Sequence, residues 1–87
     1  MDEERMPYVG EIVLYRVGPG DTAELRNNWA EVLPAIVVQP WSPTCANLKV
    51  FTDGPTDVWV TSAVKGDEPS QWSYISHPLK GQVLEAQ

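Results

Sequence analysis

The sequence predicts an all-β domain, and three observations carry the prediction. Short runs rich in Val, Ile, Tyr and Trp recur along the chain, each stopped by Gly, Pro, Asn, Asp or Ser, which is how turn-bounded strands read. Helical spacing of apolar residues is confined to one stretch, Asp21–Leu33. The runs Ile12–Tyr15 and Ala35–Val38 are apolar on both faces. One short flat sheet cannot bury both sides of such strands, whereas a sheet curled onto itself can, with fewer exposed edges.

The elements follow in order. Residues 1–7 are charged and end in proline, and they read as a flexible acidic arm; the folded domain spans 8–79, and 80–87 reads as a flexible tail. Val9–Val17 is a first strand stopped by Gly18-Pro19-Gly20, and alternation alone does not set its register. In Asp21–Leu33, the residues Leu25, Trp29, Val32 and Leu33 fall at helical spacing behind the candidate caps Asp21 and Thr22. This long excursion is expected to hold a short helix or helical turn, although Asn27-Asn28 weakens it. Pro34 introduces a buried strand, Ala35–Gln39, closed by Pro40, and Trp41–Thr44 reads as a loop. Ala46–Thr52 alternates with Leu48 and Val50 inward, and Asp53–Thr56 is a turn. Val58–Ser62 puts Val58 and Val60 on one face and Asp57, Trp59 and Thr61 on the other. After a turn over Lys65–Pro69, Gln71–Ile75 forms the last strand, with Trp72 and Tyr74 on one face.

Five short strands with a long first connection and tight later ones describe a small, partly open, SH3-like barrel. An OB-like barrel is the alternative, but it usually has longer strands and a helix between the third and fourth. The expected core is Val13, Ile36, Val38, Leu48, Val50, Val58 and Val60.

Composition bounds the function. At 87 residues, with 43% hydrophobic and 21% charged residues, the chain is one globular domain. A chain this small buries only about 60–65% of its unfolded surface, so four Trp, three Tyr and one Phe matter to its core. The net charge is −6, and Arg5, Arg16, Arg26, Lys49, Lys65 and Lys80 are scattered singly. Neutralising phosphates takes clustered bases, so no direct nucleic-acid partner is expected. The apolar runs of four residues fall far short of the roughly 20 a membrane span needs, so no membrane partner is expected. Met1-Asp2-Glu3-Glu4 is the opposite of the basic start of a signal peptide. The single cysteine, Cys45, makes no intramolecular disulfide.

Chemistry-bearing motifs are sparse. Cys45 and His77 stand in loops without a third orienting group, and one Cys with one His lacks the donors of a zinc site. Asp53-Gly54-Pro55-Thr56-Asp57 has a calcium-loop look but lacks the further oxygen ligands and the distal Glu, so it reads as a hairpin turn. Gly18-Pro19-Gly20 lacks the Gly and Lys of a phosphate loop, and Asp67-Glu68 is a solvated turn. No enzymatic activity, cofactor or metal is expected.

The informative residues are aromatic. Four tryptophans cannot all be central in so small a core. Trp41 lies between Pro40 and Pro43, Trp59 points away from Val58 and Val60, and Phe51 lies opposite Leu48 and Val50 on its strand. Trp41, Phe51 and Trp59 are therefore the candidate protein-binding residues, with Phe51 expected to meet Trp59 across the Asp53–Asp57 hairpin.

The strand set resembles short phage and prophage proteins of mostly unassigned role, often described as SH3-like. The resemblance rests on Val9–Arg16, Pro34–Val38 with Trp41, Asn47–Gly54, Trp59 with Thr61–Val64, and Gly66–Pro69 followed by Trp72, covering most of residues 8–75. That group commonly has Gly where Ser70 stands, and a Trp-His-Trp-Pro-like ending where this chain has Trp72-Ser73-Tyr74-Ile75. The resemblance implies a phage-encoded, non-enzymatic protein. The expected role is that of an accessory protein working by protein–protein contact in the virion or its assembly, with virion subunits or a host protein as partner, in the virion or the host cytoplasm. The alternatives are a soluble antagonist of a host factor, its acidic surface steering it to a basic target, and a small-molecule-binding module using the tryptophan surface.

Overall fold

The structure is a computed structural model that describes residues 5–75. Its strands are β1 (Ile12–Arg16), β2 (Val32–Ser42), β3 (Cys45–Phe51), β4 (Asp57–Lys65) and β5 (Gln71–Tyr74). They form a closed barrel in the order β1-β2-β3-β4-β5, consistent with a small SH3-like barrel. Neighbours are antiparallel except β4 and β5, which run parallel. The barrel is thus closed rather than partly open. Its closure is narrow: β4 meets β5 only at Val64–Gln71 and Lys65–Trp72, and β5 then pairs with β1 from Val13 to Tyr15. The long first connection holds one short 3-10 turn, Asn27–Trp29, among the described residues.

β2 is longer than its sequence suggests and runs through two prolines. Each sits where a missing N–H breaks little of the ladder. Pro34 lies beyond the last β2–β3 pair, Ala35–Val50, and Pro40 lies beyond the reach of β1, whose last pair is Ile12–Ile36. Prolines are tolerated at such edges. Trp41 is consequently a strand residue, and the β2–β3 turn is only Pro43-Thr44.

The core is Val13, Tyr15, Leu25, Leu33, Ala35, Val37, Ala46, Leu48, Val50, Ala63 and Trp72, with Val58 and Val60 half-buried against it. Ile36 and Val38, expected inside, are on the other face of β2. The reason is pairing. Val37 lies opposite Leu48 and Ile36 opposite Lys49, and directly opposed residues share a face. The alternation of β3, with its lysine outward, therefore decides which apolar set of β2 goes in. Two bulges, at Val37/Gln39 and Pro40/Ser42, each add a residue to β2 between the turn and that pair. One bulge flips the facing and the second restores it.

Two polar clusters fix the connections. Tyr15, buried in the core, donates its hydroxyl to the Asp21 carboxylate at 3.0 Å. The same carboxylate accepts the Gly18 N–H at 2.7 Å and the Ser70 hydroxyl at 3.2 Å, while the Ser70 N–H donates to the Arg16 carbonyl. The first loop is thereby fastened to the β4–β5 turn. Gly18 is required by the close approach, since a Cβ there would sit 2.9 Å from Cβ of Pro69. Ser70 adopts φ +65°, a conformation glycine takes without cost, and its bond to Asp21 helps hold it.

The second cluster holds part of the segment expected as an arm. Met1–Glu4 lie outside the described residues, but Pro7 is buried and Arg5 donates from both terminal guanidinium nitrogens to the Glu11 carboxylate. The Arg5 guanidinium stacks on Tyr74, 4.0 Å from the ring centre, and the Tyr74 hydroxyl donates to the Arg5 carbonyl. The Arg5 hydrogen bond, aided by the Tyr8 N–H, holds the Glu11 carboxyl below its ordinary pKa despite its burial. A carboxyl depressed in the fold stabilises it above the ordinary value near 4.5, and loses that effect as pH falls through the folded-state pKa. Glu11→Gln is expected to lower the melting temperature by a few degrees at neutral pH and to make little difference well below pH 4.5. Thermal melts of both proteins across that range test it; a gap that does not shrink in acid would show that the ion pair is not its source.

Candidate functional site

The expected site residues lie on the outside of the β2–β3–β4 sheet. β3 turns Ala46, Leu48 and Val50 inward, which sends Asn47, Lys49 and Phe51 outward. The partners on β4 are set by register: Trp59 lies opposite Lys49 and Asp57 opposite Phe51. One row runs across four strands as Ile12, Ile36, Lys49 and Trp59. Phe51 and Trp59 are therefore diagonal neighbours rather than a directly opposed pair. Among the described residues the close ring pair is instead Trp72–Tyr74, edge to face at 5.3 Å. Trp41 is 56% exposed, Trp59 54% and Phe51 41%.

Asn47, which the sequence did not single out, organises one side of this face. It is buried, and its Oδ1 accepts from the Trp41 indole N–H at 3.1 Å, the Thr61 hydroxyl at 3.2 Å and the Ser62 N–H at 2.6 Å. The last bond substitutes for a broken ladder. β3 and β4 slip register between Ala46 and Leu48, and Ser62 adopts φ +53°. The slip also explains why Ala63, and not Ser62, follows Val58 and Val60 into the interior. One amide oxygen thus ties the Trp41 ring to the strand that carries Trp59. The indole of Trp41 is thereby held in one orientation on the surface.

Charge on the face is slight. Lys49 and Asp57 lie 3.6 Å apart and both are largely exposed, so the pair is worth little. Cys45, half-buried at the start of β3, pairs with Ser42 and Val64, and His77 lies outside the described residues. Among the described residues, no group of three or more His, Cys, Asp or Glu could hold a metal ion.

The chain matches no family model, no curated protein and no solved structure. What the face can do therefore rests on its own side chains. It offers flat apolar area from Trp59, Phe51 and Ile12, and one cation and one anion near its centre.

One further tryptophan departs furthest from expectation. Trp29, read as part of a helical apolar stripe, is 92% exposed, while Leu25 and Leu33 from the same stripe are buried. No helix carries the stripe among the described residues, because Leu33 belongs to β2 and only three residues form the 3-10 turn. Asn28 and Trp29 are both left-handed, at φ +57° and +61°. Asn tolerates this conformation, whereas a bulky residue in it is disfavoured by about 1–2 kcal/mol. The Asn-Asn pair was the sequence signal for such a turn.

Proposed function

We propose that this chain is a non-enzymatic accessory protein that works by protein–protein contact through the outer face bearing Trp41, Phe51 and Trp59. The observation that carries the reading is that three half-exposed aromatics share the outer side of the β2–β3–β4 sheet, Phe51 and Trp59 as diagonal neighbours and Trp41 further along, bonded to Asn47. Aromatic anchors of this kind dominate protein interfaces. Single exposed apolar residues are ordinary on a surface, but three large aromatics on one sheet face are less so. The resemblance to phage and prophage proteins adds the setting: a phage-encoded module that docks virion subunits or serves their assembly.

Mass spectrometry of purified particles tests the setting. The chain is expected among the particle proteins. Its absence from particles, together with one host protein co-purifying in stoichiometric amount, would replace this reading with a host-factor antagonist.

Trp59→Ala tests the surface. Because Trp59 is half-exposed on the outer face, its removal is expected to cost about 1 kcal/mol of stability or less. Affinity for the particle subunit that binds the chain is expected to fall at least about thirtyfold. A loss of about 3–5 kcal/mol in stability, the range for a buried Trp, with unchanged affinity of the folded fraction, would make Trp59 a packing residue and end the interface reading.

A further inference from the structure

Trp29 and the surface beside it carry an inference separate from the sheet face. Its indole is the most exposed of the large hydrophobic side chains among the described residues. It is also held in place. The Asn28 amide donates to the Asp53 carboxylate at 3.0 Å, bracing the turn against the β3–β4 connection. Trp29 and Ala30 donate their N–H groups to the Arg26 and Asn27 carbonyls. A bulky side chain fixed in a left-handed conformation and pointed into water is disfavoured twice over. Burial of the indole against another surface would offset both effects.

The fitting surface is on the same molecule. Next to the indole is an open hollow of about 310 Å³, lined by Val17, Gly18, Pro19, Arg26, Ala30 and Glu31. That is the small end of the roughly 300–1,000 Å³ range of ligand sites, suited to a single ring system. Its own Trp29 forms one wall and does not fill it. A projecting ring and a hollow side by side on one face are what a two-fold contact uses, since each patch then meets the other's complement. The rim charges are self-complementary as well. Arg26 and Glu31 border the same hollow, and Arg26 is steered along the loop by its Nε bond to the Asp21 carbonyl at 3.0 Å. A two-fold that seats each ring in the other's hollow would set the Arg26 and Glu31 rim of one copy against the same rim of the other.

We propose that two copies of this chain associate through this face, each Trp29 seated in the hollow beside the other's. Each indole brings at most about 150–250 Å² to the contact, and a standard interface needs about 800 Å² a side. The dimer is accordingly a weak one, formed where many copies are concentrated.

Sedimentation equilibrium of the full chain, from micromolar to millimolar concentration, tests this. The weight-average mass is expected to rise from 9.7 kDa toward twice that value. Trp29→Ala, its folding checked by thermal melt, is expected to weaken dimerisation at least about thirtyfold. Glu31→Arg should weaken it by placing like charges together, and adding Arg26→Glu should restore it. Trp59→Ala should leave the mass curve unchanged. A chain that stays monomeric throughout, or a Trp29→Ala protein that dimerises like the parent, would overturn the proposal. Loss of dimer in Trp59→Ala alone would overturn it too, by placing the contact on the sheet. A monomer would leave the Trp41–Phe51–Trp59 reading standing.

Discussion

Replacing Trp72 with Ala is expected to unfold most of the protein. Trp72 has no exposed surface and is the largest of the fully buried side chains. It sits where the barrel is weakest. β5 is only four residues long, and its backbone at Trp72 pairs with Tyr15 of β1 on one side and Lys65 of β4 on the other. The Trp72 side chain reinforces that seam. Its indole N–H donates to the Ala63 carbonyl of β4 at 2.8 Å, and its ring meets Tyr74 edge to face. Truncation removes the ring and leaves a cavity, at about 3–5 kcal/mol. It also leaves the Ala63 carbonyl without that donor. Against a total stability of roughly 5–15 kcal/mol this is a large fraction. For a domain of this size it is roughly a 12–40 °C fall in melting temperature. Trp72→Phe separates the two contributions, since it keeps most of the packing and loses the hydrogen bond; a smaller loss than for Ala is expected. Circular dichroism melts of the three proteins decide it. A Trp72→Ala protein melting within a few degrees of the parent would show that the seam does not depend on this side chain.

The second large effect is expected at Leu48. It is fully buried in the middle of β3, opposite Val37 on β2 and Val60 on β4. Leu48→Ala should cost about 2–5 kcal/mol. Ile36→Ala is the informative companion. Ile36 is comparable in chemistry and lies one row away, but it is on the outer face opposite Lys49. Its truncation should cost well under half as much, because its surface is already partly in water. Denaturant titrations give both values. Equal losses, or a larger loss at Ile36, would mean that β2 presents its other face to the core and that its pairing with β3 is shifted by one residue.

Much of this architecture was legible in the residues themselves. The β-branched and aromatic runs, and the Gly, Pro and Asp that stop them, determined the number of strands and the tight later turns. Where a strand alternates, its facing was legible too. Leu48 and Val50 inward, and Phe51 and Trp59 outward, follow from a period of two residues with polar groups on one side. The short helix or helical turn expected in the first excursion is the 3-10 turn at Asn27–Trp29, and Asn27-Asn28, which weakens a helix, stands at its start.

Tertiary structure decided the rest, for identifiable reasons. β2 is apolar on both faces, so either phase satisfies its local pattern. Only its pairing with β3, through two bulges, sent Val37 in and Ile36 out. Pro40 looked like a strand end because a proline removes a ladder donor. Its harmlessness depends on β1 having already ended, a fact of topology. Trp29 shared a helical stripe with Leu25 and Leu33, and nothing local separates them. Leu33 was drawn into β2, Leu25 into the core, and the left-handed turn left Trp29 outside. Asn47 gave no sequence signal at all, because its role exists only where β2, β3 and β4 meet around one amide oxygen. Local pattern sets what each strand can do with its two faces; where both faces are acceptable, neighbours far away in the chain make the choice.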